Sequence, residues 1–217
     1  PLCANTGRLS QMQLSDQQAS ILHSDVSFVG SLYNEDHNLL DRMTDLDDYT
    51  KGYLDAIMNA QQKVNGYFFV EEVLTPSIVD AMKRSLEYKP IPGGTETPAY
   101  VYANFFLARK ITALERQRLL YAVSKAFQTK LYTHQPTPSL PHIQNMGAVD
   151  YYEVMPHVFK QSKINLNITL RSIQSGMPLR AWDIMGAGGF LLSNYQADFF
   201  DFFTPGEDFD YFDGAED

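Results

Sequence analysis

The sequence predicts an α/β fold, in which a doubly wound parallel sheet is interrupted by a helical insertion. Short apolar segments that resemble strands alternate with amphipathic helical segments, which is typical of a parallel sheet with helices on both faces. The stretch from about residue 34 to 98 breaks this alternation and has helical patterns only. With 217 residues, 44% of them hydrophobic, the chain is long enough to bury a core without disulfides or metals.

The predicted strands are short segments that contain apolar residues and lie between helical patterns or turns. The first of them, Asp25–Ser31, runs directly into Gly30-Ser31. The others lie in the second half of the chain, at residues 130–133, 145–149, 164–168, 190–192 and 209–212. Helical patterns separate most of them, so we expect right-handed crossovers within one sheet.

Helix boundaries are predicted from capping residues. Thr75 followed by Pro76 is typical of an N-cap with proline in the first turn. Thr112 and Glu115 match a capping box, which predicts that an aromatic-rich helix over 99–110 ends and a second helix begins there. Further helices are predicted over 51–64, 151–160, 178–187 and 197–203.

Composition and charge exclude several classes of protein. The net charge is −9, but residues 195–217 carry eight acids and no base, which leaves the rest of the chain near neutral. Nucleic-acid binding needs a basic face, so we expect no nucleic-acid partner. The one cysteine, Cys3, excludes a disulfide framework, and the five histidines lack metal-ligand spacing. No apolar run is long enough to span a membrane, and we expect a cytoplasmic protein.

Two segments follow predicted strands and carry suitable chemistry for a ligand, because doubly wound sheets bind ligands at the carboxyl ends of their strands. The first is Gly30-Ser31. In the second, Gly176 precedes a helix that begins near Pro178, and a helix N-terminus suits a diphosphate. Asp183 lies about 7 Å along that helix, where it can accept from ribose hydroxyls. Arg180 shares its face and can pair with phosphate, although an ordinary surface ion pair is the alternative.

The same segment resembles the signature of GT-B glycosyltransferases, specifically the group 1 type and its CgeB-like (spore maturation protein-like) branch. Ser175-Gly-Met-Pro178 falls on the family's loop, and Asp183-Ile-Met-Gly-Ala-Gly188 falls on its helix. Gly147-Ala-Val149 is similar to the strand end that faces the base, and Phe203-Thr-Pro-Gly-Glu207 to a later turn. The resemblance covers residues 25–33 and 99–212.

The resemblance implies the Rossmann-like, C-terminal half of a GT-B enzyme that transfers a sugar from a nucleotide diphosphate donor. It implies a donor site without cofactor or metal, formed by Gly30, Ser31, Arg171, Ser175, Gly176, Met177, Arg180 and Asp183, with Val149 and Asp150 on the base side. Arg180 would stabilise the diphosphate. Residues 1–6 resemble the interdomain linker of this branch. We therefore predict a linker at 1–24 and a donor domain at 25–217 with a helical insertion at about 34–98, and we expect the acceptor domain upstream and this chain alone to be inactive.

One departure from the family pattern and one further motif leave other interpretations open. Ser175 replaces the family glutamate that contacts the transferred sugar, and a hydroxyl cannot stabilise positive charge as a carboxylate does. The alternative is therefore a catalytically inactive GT-B-like module that binds a protein partner through its aromatic insertion. Asp208-Phe-Asp210 also matches the Asp-x-Asp motif of metal-dependent glycosyltransferases, but it lies downstream of the nucleotide signature.

Overall fold

A computed structural model describes residues 4–34, 38–89 and 93–215. Cys3 and part of the predicted loop at 90–98 lie outside the described residues. The chain forms two compact units. The α/β unit comprises Pro1–Leu32, Arg116–Thr169 and Ser175–Asp217, and the helical unit comprises Tyr33–Glu115 and Leu170–Gln174.

The α/β unit is built on a sheet of six parallel strands. They are β1 (Ser24–Val29), β2 (Thr129–Tyr132), β3 (Gln144–Asn145), β4 (Ser162–Asn167), β5 (Leu191–Asn194) and β6 (Asp210–Phe212). The strand order is β3-β2-β1-β4-β5-β6, and every neighbouring pair is parallel. The predicted doubly wound α/β fold is thus confirmed. The direction of winding reverses between β1 and β4, and ligands of such sheets bind at that point.

Some helices belong to the α/β unit, and others form the helical unit. In chain order they are α1 (Thr6–Gln11), α2 (Asp16–Leu22), α3 (Asp48–Gln61), α4 (Val70–Val73), α5 (Pro76–Ser85), α6 (Pro98–Val101), a π-helix (Tyr102–Leu107), α7 (Ala108–Ala126), α8 (Met155–Gln161), α9 (Leu179–Gly186) and a 3₁₀ helix (Ala197–Asp201). Within the described residues, no helix combines the length and the apolar character that crossing a membrane requires.

Apolar residues cover both faces of the sheet because side chains alternate along each strand. Phe28 of β1 packs in one cluster with Leu131 and Leu166. Val29, the next residue, packs in the opposite cluster with Tyr132 and others. Both faces of the sheet therefore have a hydrophobic core, as expected for a parallel sheet.

The helical unit has a core of its own. Side chains of α3 and α5 pack in one cluster with the π-helix. The buried residues that show this are Leu54, Met58, Ile78, Met82 and Tyr102. At the start of α5, the Ile78 N–H donates to the Thr75 hydroxyl at 3.4 Å, which confirms the predicted cap. The helical insertion is thus an independent cluster of helices.

The predicted helix boundary at Thr112 is wrong. Helical structure runs without interruption from Pro98 to Ala126 through the π-helix. The Thr112 hydroxyl donates to the Ala108 carbonyl at 2.8 Å from within α7, and Glu115 binds Arg171 instead of the helix backbone. A threonine inside a helix can make this backward hydrogen bond, so the residue pattern of a capping box occurred without a cap.

Residues 4–22, part of the predicted linker, form α1 and α2. Asn5 and Ser15 cap these helices, and Ser15 and Gln18 form a complete capping box. Ala4 lies so close to Gly186 of α9 that a side chain at Gly186 would overlap its Cβ atom. These residues cluster with the α/β unit, while the domain boundary at 24/25 stays a prediction.

Candidate functional site

A cavity of about 190 Å³ lies beside the carboxyl ends of β1 and β2. Gly30 and Ser31 border it from the end of β1, and Tyr132 and His134 border it from the end of β2. Val149 also lines it. The cavity thus lies at the carboxyl edge of the sheet, where ligands of doubly wound folds bind, but on the β2 side of β1 rather than between β1 and β4.

Arg180 and Tyr151 form another wall of this cavity, and both hold Asp183. The Tyr151 hydroxyl donates to Asp183 Oδ1 at 2.8 Å, and Arg180 Nη1 lies 3.3 Å from Asp183 Oδ2. Arg180 also contacts the Met155 sulfur and lies 5.6 Å from the centre of the Phe159 ring. The carboxylate is therefore fixed from both sides, and its remaining lone pairs can accept from a ligand.

The protonation of this network follows from its contacts. The hydrogen bond to Asp183 raises the pKa of Tyr151, because losing the proton would place two anions together. Burial lowers the pKa of Arg180, while the charge of Asp183 opposes that shift. Arginine nevertheless stays protonated in proteins. A permanent cation thus stands at the cavity wall, partly desolvated.

Gly176 has the backbone conformation that its loop requires, but its N–H already has a partner. Its φ angle is +87°, where only glycine is unstrained, and open space surrounds its Cα. The N–H donates to a carboxylate oxygen of Asp198 in the 3₁₀ helix. Behind it, α9 begins without a side-chain cap. The Asp198 carboxylate therefore accepts from the Gly176 N–H, which is one of the groups that we expect to bind a diphosphate.

The other predicted residues of the loop differ in their surroundings. Ser175 is exposed, whereas Met177 is half-buried and packs against the core cluster beneath α9. Asp150 follows Val149, but its carboxylate accepts from the Tyr152 and Glu153 N–H groups at 2.8 and 2.7 Å. Val149 thus borders the cavity, while Asp150 stabilises the turn before α8.

Arg171 is not brought together with the other predicted residues. It belongs to the helical unit, where its Nη2 atom lies 2.6 Å from Glu115 Oε1. The two side chains are only 10% and 14% exposed. Arg171 also donates to the Val64 carbonyl at 3.2 Å and to Asn65. Arg171 therefore forms an ion pair within the helical unit and does not line the cavity.

Two residues near the site were not predicted. Arg116 of α7, 8% exposed, donates to the carbonyls of Ser31 and Ile168 and so joins the segments that follow β1 and β4. The Tyr132 hydroxyl is buried without a hydrogen-bond partner among the described residues. Burial raises the pKa of Tyr132 to about 12. No sequence pattern marks either residue, because an arginine in a helix and a tyrosine in a strand are both common.

The acids of the C-terminal segment have local roles. Asp208 accepts from the Thr204 N–H, and Asp210 from the Tyr211 N–H, both at 2.9 Å. Within residues 4–34, 38–89 and 93–215, no group of three or more His, Cys, Asp or Glu side chains is arranged to hold a metal ion.

A protein-family model described as glycosyl transferase-like matches residues 109–217, half of the chain. The chain belongs to the glycosyl transferase-like family. The predicted resemblance to a GT-B-like glycosyltransferase domain is thereby confirmed, while the CgeB-like branch stays a prediction. The match includes Tyr151, Arg180 and Asp183 but not Gly30 or Ser31. No curated protein and no solved structure matches the chain.

Proposed function

We propose that this glycosyl transferase-like chain binds the nucleoside diphosphate of a sugar donor and holds it for transfer of the sugar to an acceptor. The observation that carries the proposal is the Tyr151–Asp183–Arg180 network, in which Tyr151 and Arg180 line the cavity beside the carboxyl ends of β1 and β2 and both contact Asp183. This network lies within the segment that the family model matches.

In this proposal Asp183 binds the ribose. A carboxylate can accept from both hydroxyls of a ribose, and charge-assisted hydrogen bonds of this kind are short and strong. Tyr151 and Arg180 hold the carboxylate in place, so the ligand does not have to order this side chain when it binds. The base then faces Val149, and the unpaired Tyr132 hydroxyl, at the border of the cavity, is available to it.

Arg180 and the start of α9 serve the diphosphate. Negative charge grows on the leaving diphosphate as the bond to the sugar breaks, and fixed positive groups stabilise that charge. Arg180 supplies a cation, and the first N–H groups of α9 supply partial positive charge. We therefore infer that no divalent metal or cofactor is needed, and that diphosphate displaces Asp198 from the Gly176 N–H.

Calorimetry with uridine, guanosine, adenosine and cytidine diphosphates tests this proposal. Asp183→Asn should weaken binding of the preferred nucleotide by about 1.5–3 kcal/mol, because one strong hydrogen bond to ribose loses its charge. Asp201→Asn is the matched control, since Asp201 is exposed in the 3₁₀ helix. Equal affinities of the two variants would contradict the role of Asp183. Release of nucleoside diphosphate from a sugar donor then separates a transferase from an inactive binding module.

A further inference from the structure

The helical unit contains a larger cavity, of about 670 Å³. Its walls come from the segment before α3, the segment after α5, and the continuous helical structure from α6 to α7. Its volume lies within the range of about 300–1,000 Å³ that is typical of small-molecule sites. All its described lining residues lie between 39 and 109, so it is separate from the donor cavity.

The walls of this cavity are apolar. Leu39, Leu86, Val101, Phe105 and Phe106 line it. Phe106 is 4% exposed and belongs to the core, whereas the neighbouring Phe105 is 42% exposed. Both lie in the π-helix, a conformation that is rare and is found often at functional sites. The π-helix thus leaves a phenyl ring accessible at the wall of a cavity rather than in the core.

Charged side chains also line the cavity, with an excess of one cation. The described lining residues include three cations, Arg42, Lys89 and Arg109, and two acids, Glu87 and Glu96. Glu96 accepts a hydrogen bond from the Tyr88 hydroxyl at its Oε2 atom, at 3.3 Å. The Arg109 guanidinium lies 5.8 Å from the centre of the Tyr33 ring, which supports it from one side. The described lining is thus slightly positive in a chain whose net charge is −9.

We propose that this cavity binds a small organic anion with an aromatic or aliphatic body. The body would pack against Phe105 and Leu86, and a carboxylate, sulfonate or phosphate would pair with Arg42 or Arg109. Guanidinium groups suit such anions because their planar donors match two anionic oxygens at once. The site goes beyond the proposed donor function, since it uses neither Asp183 nor Arg180.

The probe for this site is 8-anilinonaphthalene-1-sulfonate, which combines an aromatic body with one anionic group. Its fluorescence should rise saturably with the folded protein. Arg42→Gln and Arg109→Gln should each weaken its binding about fivefold, the size expected for one partly exposed charge pair. Arg84→Gln is the control, because Arg84 is exposed on α5 and does not line the cavity. The uncharged analogue N-phenyl-1-naphthylamine should bind all three variants equally.

Two results would overturn the proposal. They are unchanged sulfonate binding in both Arg42→Gln and Arg109→Gln, and an equal loss of sulfonate binding in Arg84→Gln. All three arginines are exposed, so near-ultraviolet circular dichroism should show the native fold in each variant.

Discussion

Asp183 has a polar partner at each of its carboxylate oxygens, and these partners decide what it can do. Tyr151 donates to one oxygen and Arg180 to the other. An aspartate on an exposed helix face would need to be ordered by its ligand, whereas this one is already fixed. Spacing alone predicted the pair of Arg180 and Asp183, but Tyr151 lies 32 residues away from Asp183 and was found only in the fold.

Tyr132 provides a test of the base side of the cavity. Its hydroxyl is buried without a partner among the described residues, so Tyr132→Phe removes no hydrogen bond from the free protein. We expect the melting temperature of Tyr132→Phe to be equal or higher, and its affinity for nucleoside diphosphate to fall about 3- to 10-fold, as for one lost hydrogen bond.

Differential scanning calorimetry and titration calorimetry measure these two quantities. Unchanged affinity would show that the hydroxyl does not meet the nucleotide. A large loss of stability would show that it has a partner within the protein.

The buried side chain of His157 should make the free energy of unfolding depend on pH. Burial lowers the pKa of this histidine below 6.5, and the charge of Lys160 adds to the shift while Glu153 opposes it. The unfolded chain therefore binds a proton at a higher pH than the folded chain. Stability from this group is fully present above pH 6.5 and is lost as pH falls through the lowered pKa.

Urea unfolding of the parent and of His157→Gln at pH 7.5 and 5.5 measures this effect. The parent should lose more free energy of unfolding than the variant between the two pH values. His142→Gln, which changes an exposed histidine, should behave like the parent. A pH dependence that is the same in all three proteins would exclude His157 as its source.

At the scale of elements, the 3₁₀ helix is joined to the loop before α9 by the bond between Asp198 and the Gly176 N–H. If diphosphate binds that N–H, Asp198 competes with it and also repels it. Asp198→Ala should therefore tighten binding of nucleoside diphosphate several-fold, as expected for removal of a like charge near the ligand.

The matched variant is Asp201→Ala, which removes the same charge from the other end of the same 3₁₀ helix. Titration calorimetry of both variants gives the comparison. Weaker binding in Asp198→Ala would show instead that Asp198 orders the loop for its ligand.

The elements themselves were predictable to different degrees. Strands β1, β4 and β5 are buried along most of their length, and their apolar residues, such as Val26, Phe28 and Leu166, mark them in the sequence. The predicted strand at 145–149 is shorter in the structure, which has β3 at Gln144–Asn145 only. The π-helix was not predicted because no residue pattern separates it from an α-helix of the same aromatic residues.

Tertiary contacts limited how much of the site could be predicted from the sequence. Arg171 follows β4, as a phosphate-binding residue would, yet Glu115, 56 residues earlier in the chain, holds it. Arg116, the next residue along α7, joins the segments that follow β1 and β4. No local pattern distinguishes these two neighbouring charges, because their partners are chosen by the fold rather than by spacing.

At the scale of the whole molecule, the two units contain separate cavities. The α/β unit contains the cavity beside β1 and β2, and most of this unit lies within the segment that the family model matches. The helical unit has its own core and its own cavity. A nucleotide should therefore perturb residues of the α/β unit and leave the core of the helical unit unchanged.

The methionines allow this claim to be measured by nuclear magnetic resonance of their labelled methyl groups. Met155 borders the cavity beside β1 and β2, and Met177 lies in the loop before α9. Met58 and Met82 are instead buried in the core of the helical unit. During a titration with uridine, guanosine, adenosine or cytidine diphosphate, the resonances of Met155 and Met177 should shift saturably, and those of Met58 and Met82 should stay in place. Unchanged Met155 and Met177 resonances with all four nucleotides, or shifts confined to Met58 and Met82, would contradict a donor site in the α/β unit.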